Sequence, residues 1–224
     1  MRFQVPWGKH SPVSFRLHYK ADDNMRVDPT HVLPVLVIKD PYTWMSSMCR
    51  HEYTADWWHN TAKHCPNLVP ITPFEIRNFN HTTGDDASPS IPVIVGYPRN
   101  SPQSETHHKS LLHVWNTFYE DYLAKYNEFP FIAIRFEDLL FHTKEVVTQV
   151  CVCAGGTMED KFAYVADSAK QGAAHQGSSG ITSAMIRYGN ATMRREPYLD
   201  ADLRYAEKEV SKELMEIFHY SIIR

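Results

Sequence analysis

Apolar residues along this chain fall into two kinds of run. Short unbroken ones occur at Val35-Leu36-Val37-Ile38, from Ile91 to Tyr97, and at Phe131-Ile132-Ala133-Ile134. Such runs lack alternation and stop at turns or charges, as strands buried on both faces of a parallel sheet do. The first strand is placed at 33–39 and ends on Lys39-Asp40-Pro41; the last is placed at 129–135 and ends on Arg135. Longer runs follow helical spacing. Leu111, Leu112, Trp115, Phe118, Tyr119, Tyr122 and Leu123 mark one amphipathic helix between Lys109 and Asn127. Helices are also predicted from about Tyr42 to Glu52, from Leu139 to Ala154 and from about Asp202 to Phe218. Glu137-Asp138 suit the start of the third of these four, and Gly155-Gly156 stop it.

Strands alternating with helices predict one α/β domain over residues 1–224, three layers deep, with a largely parallel sheet. The intervening stretches are less regular. After a short apolar patch from Phe3 to Trp7, residues up to 30 are polar and turn-prone. Residues 53–107 carry seven prolines between Pro66 and Pro102, the mark of a functional cover rather than a linker. Residues 168–186 are small and flexible in composition, with Gly172, Ala173, Ala174, Gly177, Ser178, Ser179 and Gly180.

Composition narrows the function. At 224 residues, 43% hydrophobic and 22% charged, the chain suits one globular core. A net charge of -3 argues against nucleic acid or an anionic membrane as a partner, though not against a local basic pocket. No apolar run approaches the ~20 residues of a transmembrane helix, and the N-terminus does not resemble a signal peptide. Four cysteines do not make a disulfide framework. Cys49 and Cys65 flank one histidine-rich stretch and are open to pairing, whereas Cys151 and Cys153 read as core thiols on a helix. Asn80-His81-Thr82 and Asn190-Ala191-Thr192 are acceptor sequons, compatible with a secreted or lumenal protein.

The chemistry concentrates at strand ends. Lys39 sits at the carboxyl end of a buried strand beside a helix N-terminus, where open α/β sheets bind ligands and exposed N–H groups favour anions. Ser47 lies eight residues on, about two helical turns, and a hydroxyl there suits the same anion. Arg135 and Arg187 are further cations at turns, and Phe136 is an aromatic suited to a base. Together they point to a phosphate-bearing nucleotide; the bland reading is a corner with a solvated lysine. Cys49, His51, His59, His64 and Cys65 are of zinc-ligating types but lack a paired ligand spacing, so no metal is assigned. Trp57 and Trp58 read as core or loop anchors in preference to a sugar platform.

Four segments resemble the sulfotransferases that use 3′-phosphoadenosine 5′-phosphosulfate. VIKDPYTWMSS resembles that family's 3′-phosphate-binding segment, with Lys39 and Ser47 at the matching positions and lysine where arginine is commoner. IRFEDLLFHTKEVVTQVCVCAGG resembles the strand–Tyr-Glu-Asp–helix segment near the adenine, with Phe136 in the tyrosine's place. IRYGN resembles the Arg-Lys-Gly loop that closes over the nucleotide and matches at Arg187 and Gly189. WGKHSP resembles the segment that supplies the catalytic histidine, which is His10 here.

The resemblance implies a P-loop-like fold and sulfuryl transfer to a hydroxyl of a carbohydrate or other biomolecule, with His10 as base and no metal. Lys39, Ser47 and Arg187 would hold the 3′-phosphate. It also implies the secretory pathway, the Golgi lumen in particular, with any membrane anchor in a missing N-terminus. One departure matters. The family opens with a strand and a lysine-bearing phosphosulfate loop, whereas this chain begins nine residues before His10. The expectation is therefore a fragment without its first strand and phosphate loop, whose strand at 33–39 exposes an edge or apolar surface. The alternative is a non-catalytic relative that keeps nucleotide or glycan recognition. A nucleotide kinase would need a phosphate loop and magnesium-binding acids, and Asp40 alone does not supply them.

Overall fold

The computed structural model describes residues 10–18, 31–59, 64–80, 88–97, 105–128, 130–164 and 180–223. In chain order these form α1 (Val13–His18), β1 (Val35–Ile38), α2 (Pro41–Arg50), β2 (Ala55–Trp57), α3 (Pro73–Phe79), β3 (Val93–Gly96) and β4 (Glu105–His108). There follow α4 (Leu111–Ala124), β5 (Ile132–Arg135), α5 (Phe136–Phe141), α6 (Thr143–Cys153), α7 (Ile181–Gly189), α8 (Ala191–Arg195), α9 (Asp200–Glu209) and α10 (Lys212–Ile217).

The chain is mixed α/β, but the predicted single sheet is replaced by two small ones. β1 pairs in parallel with β5, Val35 opposite Ile132 and Ile38 opposite Arg135. The run from Ile91 supplies β3 to a separate antiparallel sheet, ordered β2-β3-β4. A largely parallel, three-layer P-loop-like sheet is therefore not what the described residues form. β4, with sequence Glu-Thr-His-His, has no apolar pattern because backbone pairing to β3, not side-chain burial, makes it a strand.

β1 is also not buried on both faces. Leu36 and Ile38 face the core, while Val35 and Val37 are 41% and 40% exposed. The apolar surface expected from a small sheet is thus present. Its edge is better protected than expected. The Pro34 carbonyl accepts from Ile132 N–H in β5, so by strand alternation the carbonyls of Val37 and Lys39 face the other way. There α4 supplies side-chain donors: Tyr119 Oη lies 3.1 Å from the Val37 carbonyl and Trp115 Nε1 2.9 Å from that of Lys39.

Helix ends carry their own signals. Asp40 caps α2, accepting from Thr43 N–H at 3.0 Å, with Pro41 in the first turn. Thr72 and Glu75 form a reciprocal capping box at α3, and Ser110 caps α4. Two predicted helices are broken. His142 leaves helical geometry and separates α5 from α6. Val210 is extended, separating α9 from α10, and Asn116 of α4 bridges that break. Its Nδ2 donates to the Glu209 carbonyl at 2.7 Å and its Oδ1 accepts from Ser211 N–H at 3.1 Å. The core gathers Ile38, Tyr42, Met45, Leu68, Ile91, Leu111, Leu112, Trp115 and Leu214, all essentially inaccessible. Asp202, buried on α9, accepts from Leu68 N–H at 2.7 Å and joins the loop at Leu68 to that helix. Cys151 and Cys153 are not core thiols: α6 buries no residue fully, and Cys153 is exposed.

Trp115→Phe keeps the ring in the core but orphans the Lys39 carbonyl, so chemical denaturation should show a loss of about 1–3 kcal/mol. A second expectation concerns acid. His108 joins β4 to α4, with Nδ1 3.3 Å from His113 Nδ1 and 3.2 Å from Thr117 Oγ1, and Nε2 2.8 Å from Thr106 Oγ1. Burial, and then the charges of His113 and His107, push its pKa down to about 4. The unfolded chain then binds more protons than the native one, so stability is full above the ordinary histidine range and is lost as pH falls toward about 4. Urea midpoints measured between pH 7 and 4.5 should decline, and His108→Gln should flatten that decline.

Candidate functional site

The end of β1 delivers Lys39 to the first turn of α2, and α2 returns Ser47 to it two turns later. Lys39 Nζ donates to Ser47 Oγ at 2.8 Å. Ser47 spends its own proton on the Thr43 carbonyl, 2.9 Å away, as a helical serine does. Its oxygen then accepts a second cationic donor, Arg50 Nη2, at 3.3 Å. Two cations thus converge on one neutral oxygen. An ammonium and a guanidinium so placed suit an anionic oxygen better than a hydroxyl, because hydrogen bonds between ionised partners are stronger.

Aromatic rings close the other side. Lys39 Nζ lies 4.7 Å from the centroid of Phe136 and 4.1 Å from that of Tyr188, and the two rings meet edge to face at 5.2 Å. The π faces attract the ammonium where water is scarce. Burial is the main cause that lowers the Lys39 pKa, against the raising influence of Tyr188 and Glu137. Burial acts on the Tyr188 phenol in the raising direction. The Lys39 charge, hydrogen bonding to Lys39 and Ser47, and the Arg50 charge outweigh it, so its pKa falls below the ordinary tyrosine value.

Beneath the cluster lies a polar scaffold. Asp40 N–H donates to Glu137 Oε1 at 3.1 Å, and Tyr220 Oη donates to Glu137 Oε2 at 2.8 Å. The Asp40 carboxylate, buried, pairs with Arg194, whose Nε is 3.3 Å from Oδ1. Tyr198, buried, donates to the Tyr42 carbonyl at 2.6 Å. The turn from β1 into α2 is therefore fixed from α5, from α8 and from the C-terminal segment.

The sequence-derived residues divide accordingly. Lys39, Ser47 and Phe136 meet. Arg187 and Gly189 do not lie in a loop: they end α7, where the residue that reaches Lys39 is their neighbour Tyr188. At Gly189 a Cβ would come 3.4 Å from Phe141 Cζ, which makes close packing of α7 on α5 its visible role. Most of the small-residue stretch before α7 lies outside the described residues. Arg135 turns to Asp138 at 3.6 Å and to the face of Tyr220 at 5.0 Å, not to Lys39. Exposed His10 stands near Tyr53, ring centroids 5.6 Å apart, and Tyr53 stands 6.3 Å from His51. His51 caps α2 one turn beyond Ser47, so His10 belongs to the C-terminal side of that helix.

Two participants escaped the sequence reading. Arg50 carried a usable signal, being three residues after Ser47 on the same helix face. Tyr188 carried none, since a helix had to be seen through IRYGN first. Cys49 and Cys65 form a disulfide, which removes both thiolates from any zinc set. His59 stacks on Trp57 at 4.0 Å and pairs with Glu52 at 3.0 Å. Among the described residues no group of three or more His, Cys, Asp or Glu could hold a metal, and no helix is long and apolar enough to cross a membrane. An open groove beside β5, lined by Ile132, Ile134, Val146, Val150, Ile217 and Phe218, is mostly apolar and does not include the Lys39 cluster.

No family model, curated protein or solved structure matches this chain.

The Lys39–Tyr188 contact gives a direct spectroscopic expectation. Phenolate absorbance should show one tyrosine ionising below the rest. Tyr188→Phe should abolish that component, and Lys39→Met should move it upward. A titration unchanged by Lys39→Met would refute the pairing.

Proposed function

We propose that this chain is a 3′-phosphonucleotide-binding domain of the sulfotransferase kind, with 3′-phosphoadenosine 5′-phosphosulfate as donor. The observation that carries the reading is the convergence of Lys39 and Arg50 on Ser47 Oγ at the carboxyl end of a parallel strand. A phosphate oxygen entering there would take both donors, while rotation of the Ser47 hydroxyl away from the Thr43 carbonyl would add a third. The negative charge of the phosphate would then offset the burial of the Lys39 ammonium, which the rings of Phe136 and Tyr188 otherwise offset. Arg187, next to Tyr188 at the end of α7, is the third cation of the reading, and Phe136 and Tyr188 are the aromatic faces available to a base.

In this reading the acceptor is a hydroxyl of a carbohydrate or other biomolecule. Its oxygen bonds to sulfur in line as the bond from sulfur to the phosphate oxygen breaks, and 3′-phosphoadenosine 5′-phosphate leaves. His10 takes the acceptor proton, a task suited to a neutral imidazole. A second reading, recognition without transfer, is favoured by one observation: the His10 ring stands beside Tyr53, not beside the Lys39 cluster.

Titration calorimetry separates these. The full chain should bind 3′-phosphoadenosine 5′-phosphate more tightly than adenosine 5′-diphosphate, which lacks the 3′-phosphate. Lys39→Ala should weaken the former by about 1.5–3 kcal/mol, the scale of a charged hydrogen bond. Unaltered affinity in that variant would overturn the site. His10→Ala should leave nucleotide affinity unchanged and abolish sulfuryl transfer; transfer that survives it removes His10 from the base role.

A further inference from the structure

Asn190-Ala191-Thr192 follows directly on the helix end that carries Arg187 and Tyr188. All three of its residues are exposed. Asn190 caps α8, its Oδ1 accepting the Thr192 N–H at 3.0 Å. That cap uses the oxygen of the side-chain amide. Among the described residues Nδ2, the nitrogen that N-glycosylation modifies, makes no hydrogen bond. The same chain contains the Cys49–Cys65 disulfide, a bond that persists in the oxidising compartments where such glycans are attached.

We propose that Asn190 is an N-glycosylation site, an inference independent of the nucleotide reading. In the transfer, Nδ2 bonds to the anomeric carbon of a lipid-pyrophosphate-linked oligosaccharide. The bond from that carbon to the pyrophosphate oxygen breaks, lipid pyrophosphate leaves, and the amide loses one proton. Glycosylation preserves Oδ1 as an acceptor, so the α8 cap and the Arg194–Asp40 pair carried by α8 survive the modification. Asn80 is also exposed, but the rest of its sequon lies outside the described residues.

The structure dictates the variant that tests this. Asn190→Gln removes the cap and loosens α8, so a loss of secretion there would be ambiguous. Thr192→Ala keeps both the Asn190 side chain and the backbone N–H that it accepts from, while destroying the acceptor sequence. The full chain should be secreted from eukaryotic cells behind an appended signal sequence. It should then be digested with peptide N-glycosidase in heavy-oxygen water and mapped by mass spectrometry alongside intact disulfide analysis. In the wild type the enzyme should convert Asn190 to an aspartate bearing one heavy oxygen. Thr192→Ala should lose one glycan and retain cooperative unfolding. Unmodified Asn190 in secreted protein that contains the Cys49–Cys65 disulfide would overturn the proposal. So would a glycan that maps to Asn80 alone.

Discussion

The arrangement depends on Asp40, a buried carboxylate at the junction of β1 and α2. It caps α2 through Thr43, and Arg194 of α8 pairs with it from the far end of the chain. Its backbone N–H is held by Glu137 of α5, which Tyr220 of the C-terminal segment also binds. A buried carboxylate is costly without partners, and breaking such a pair costs about 3–5 kcal/mol because the remaining charge stays desolvated. Asp40 therefore does more than end a strand. It forces α2, α5, α8 and the C-terminal segment into one geometry, and Lys39 is the next residue.

That geometry explains how a half-buried lysine is held with no carboxylate among the described residues in direct contact. Ser47 accepts one of its protons, and the faces of Phe136 and Tyr188 supply negative potential. Arg50 raises the local positive charge further. Stability alone would favour a carboxylate at such a spot. A cation pair gathered on a hydroxyl is the feature on which the proposed phosphate site rests. The Cys49–Cys65 disulfide anchors the last turn of α2, between Ser47 and Arg50, to the loop that Asp202 fastens to α9. The side chains that converge thus stand on a helix tethered at both ends.

Local signals were readable wherever the chain decides by itself. Asp40-Pro41 at the start of α2, the periodic apolar face of α4 and the strand cores at Val35 and Ile132 all appear in the structure near their expected places. The Lys39–Ser47 pair was legible because eight residues of strand end and helix bring the two side chains together without help from elsewhere. Partnership was not legible. Ile91 to Tyr97 looked like another parallel strand, yet β3 pairs antiparallel with two short neighbours. One neighbour, β2, is only three residues long, and the other, β4, carries no apolar pattern. The breaks at His142 and Val210 were hidden because the apolar period continues across them, and Asn116 stabilises the second from another helix.

The amino-acid sequence by itself determined where β1, β5, α2 and α4 fall, that Asp40-Pro41 opens α2, and that a cation and a hydroxyl share the first two turns of that helix. These are short-range matters of spacing and hydrogen bonding. Only the tertiary structure decided that Tyr188 meets Lys39, and that α4 side chains cover the edge of β1. It also brought Cys49 to Cys65 and Arg194 to Asp40, a pair 154 residues apart. Contacts of that kind depend on how helices pack around the buried carboxylate, and nothing in local periodicity encodes that packing.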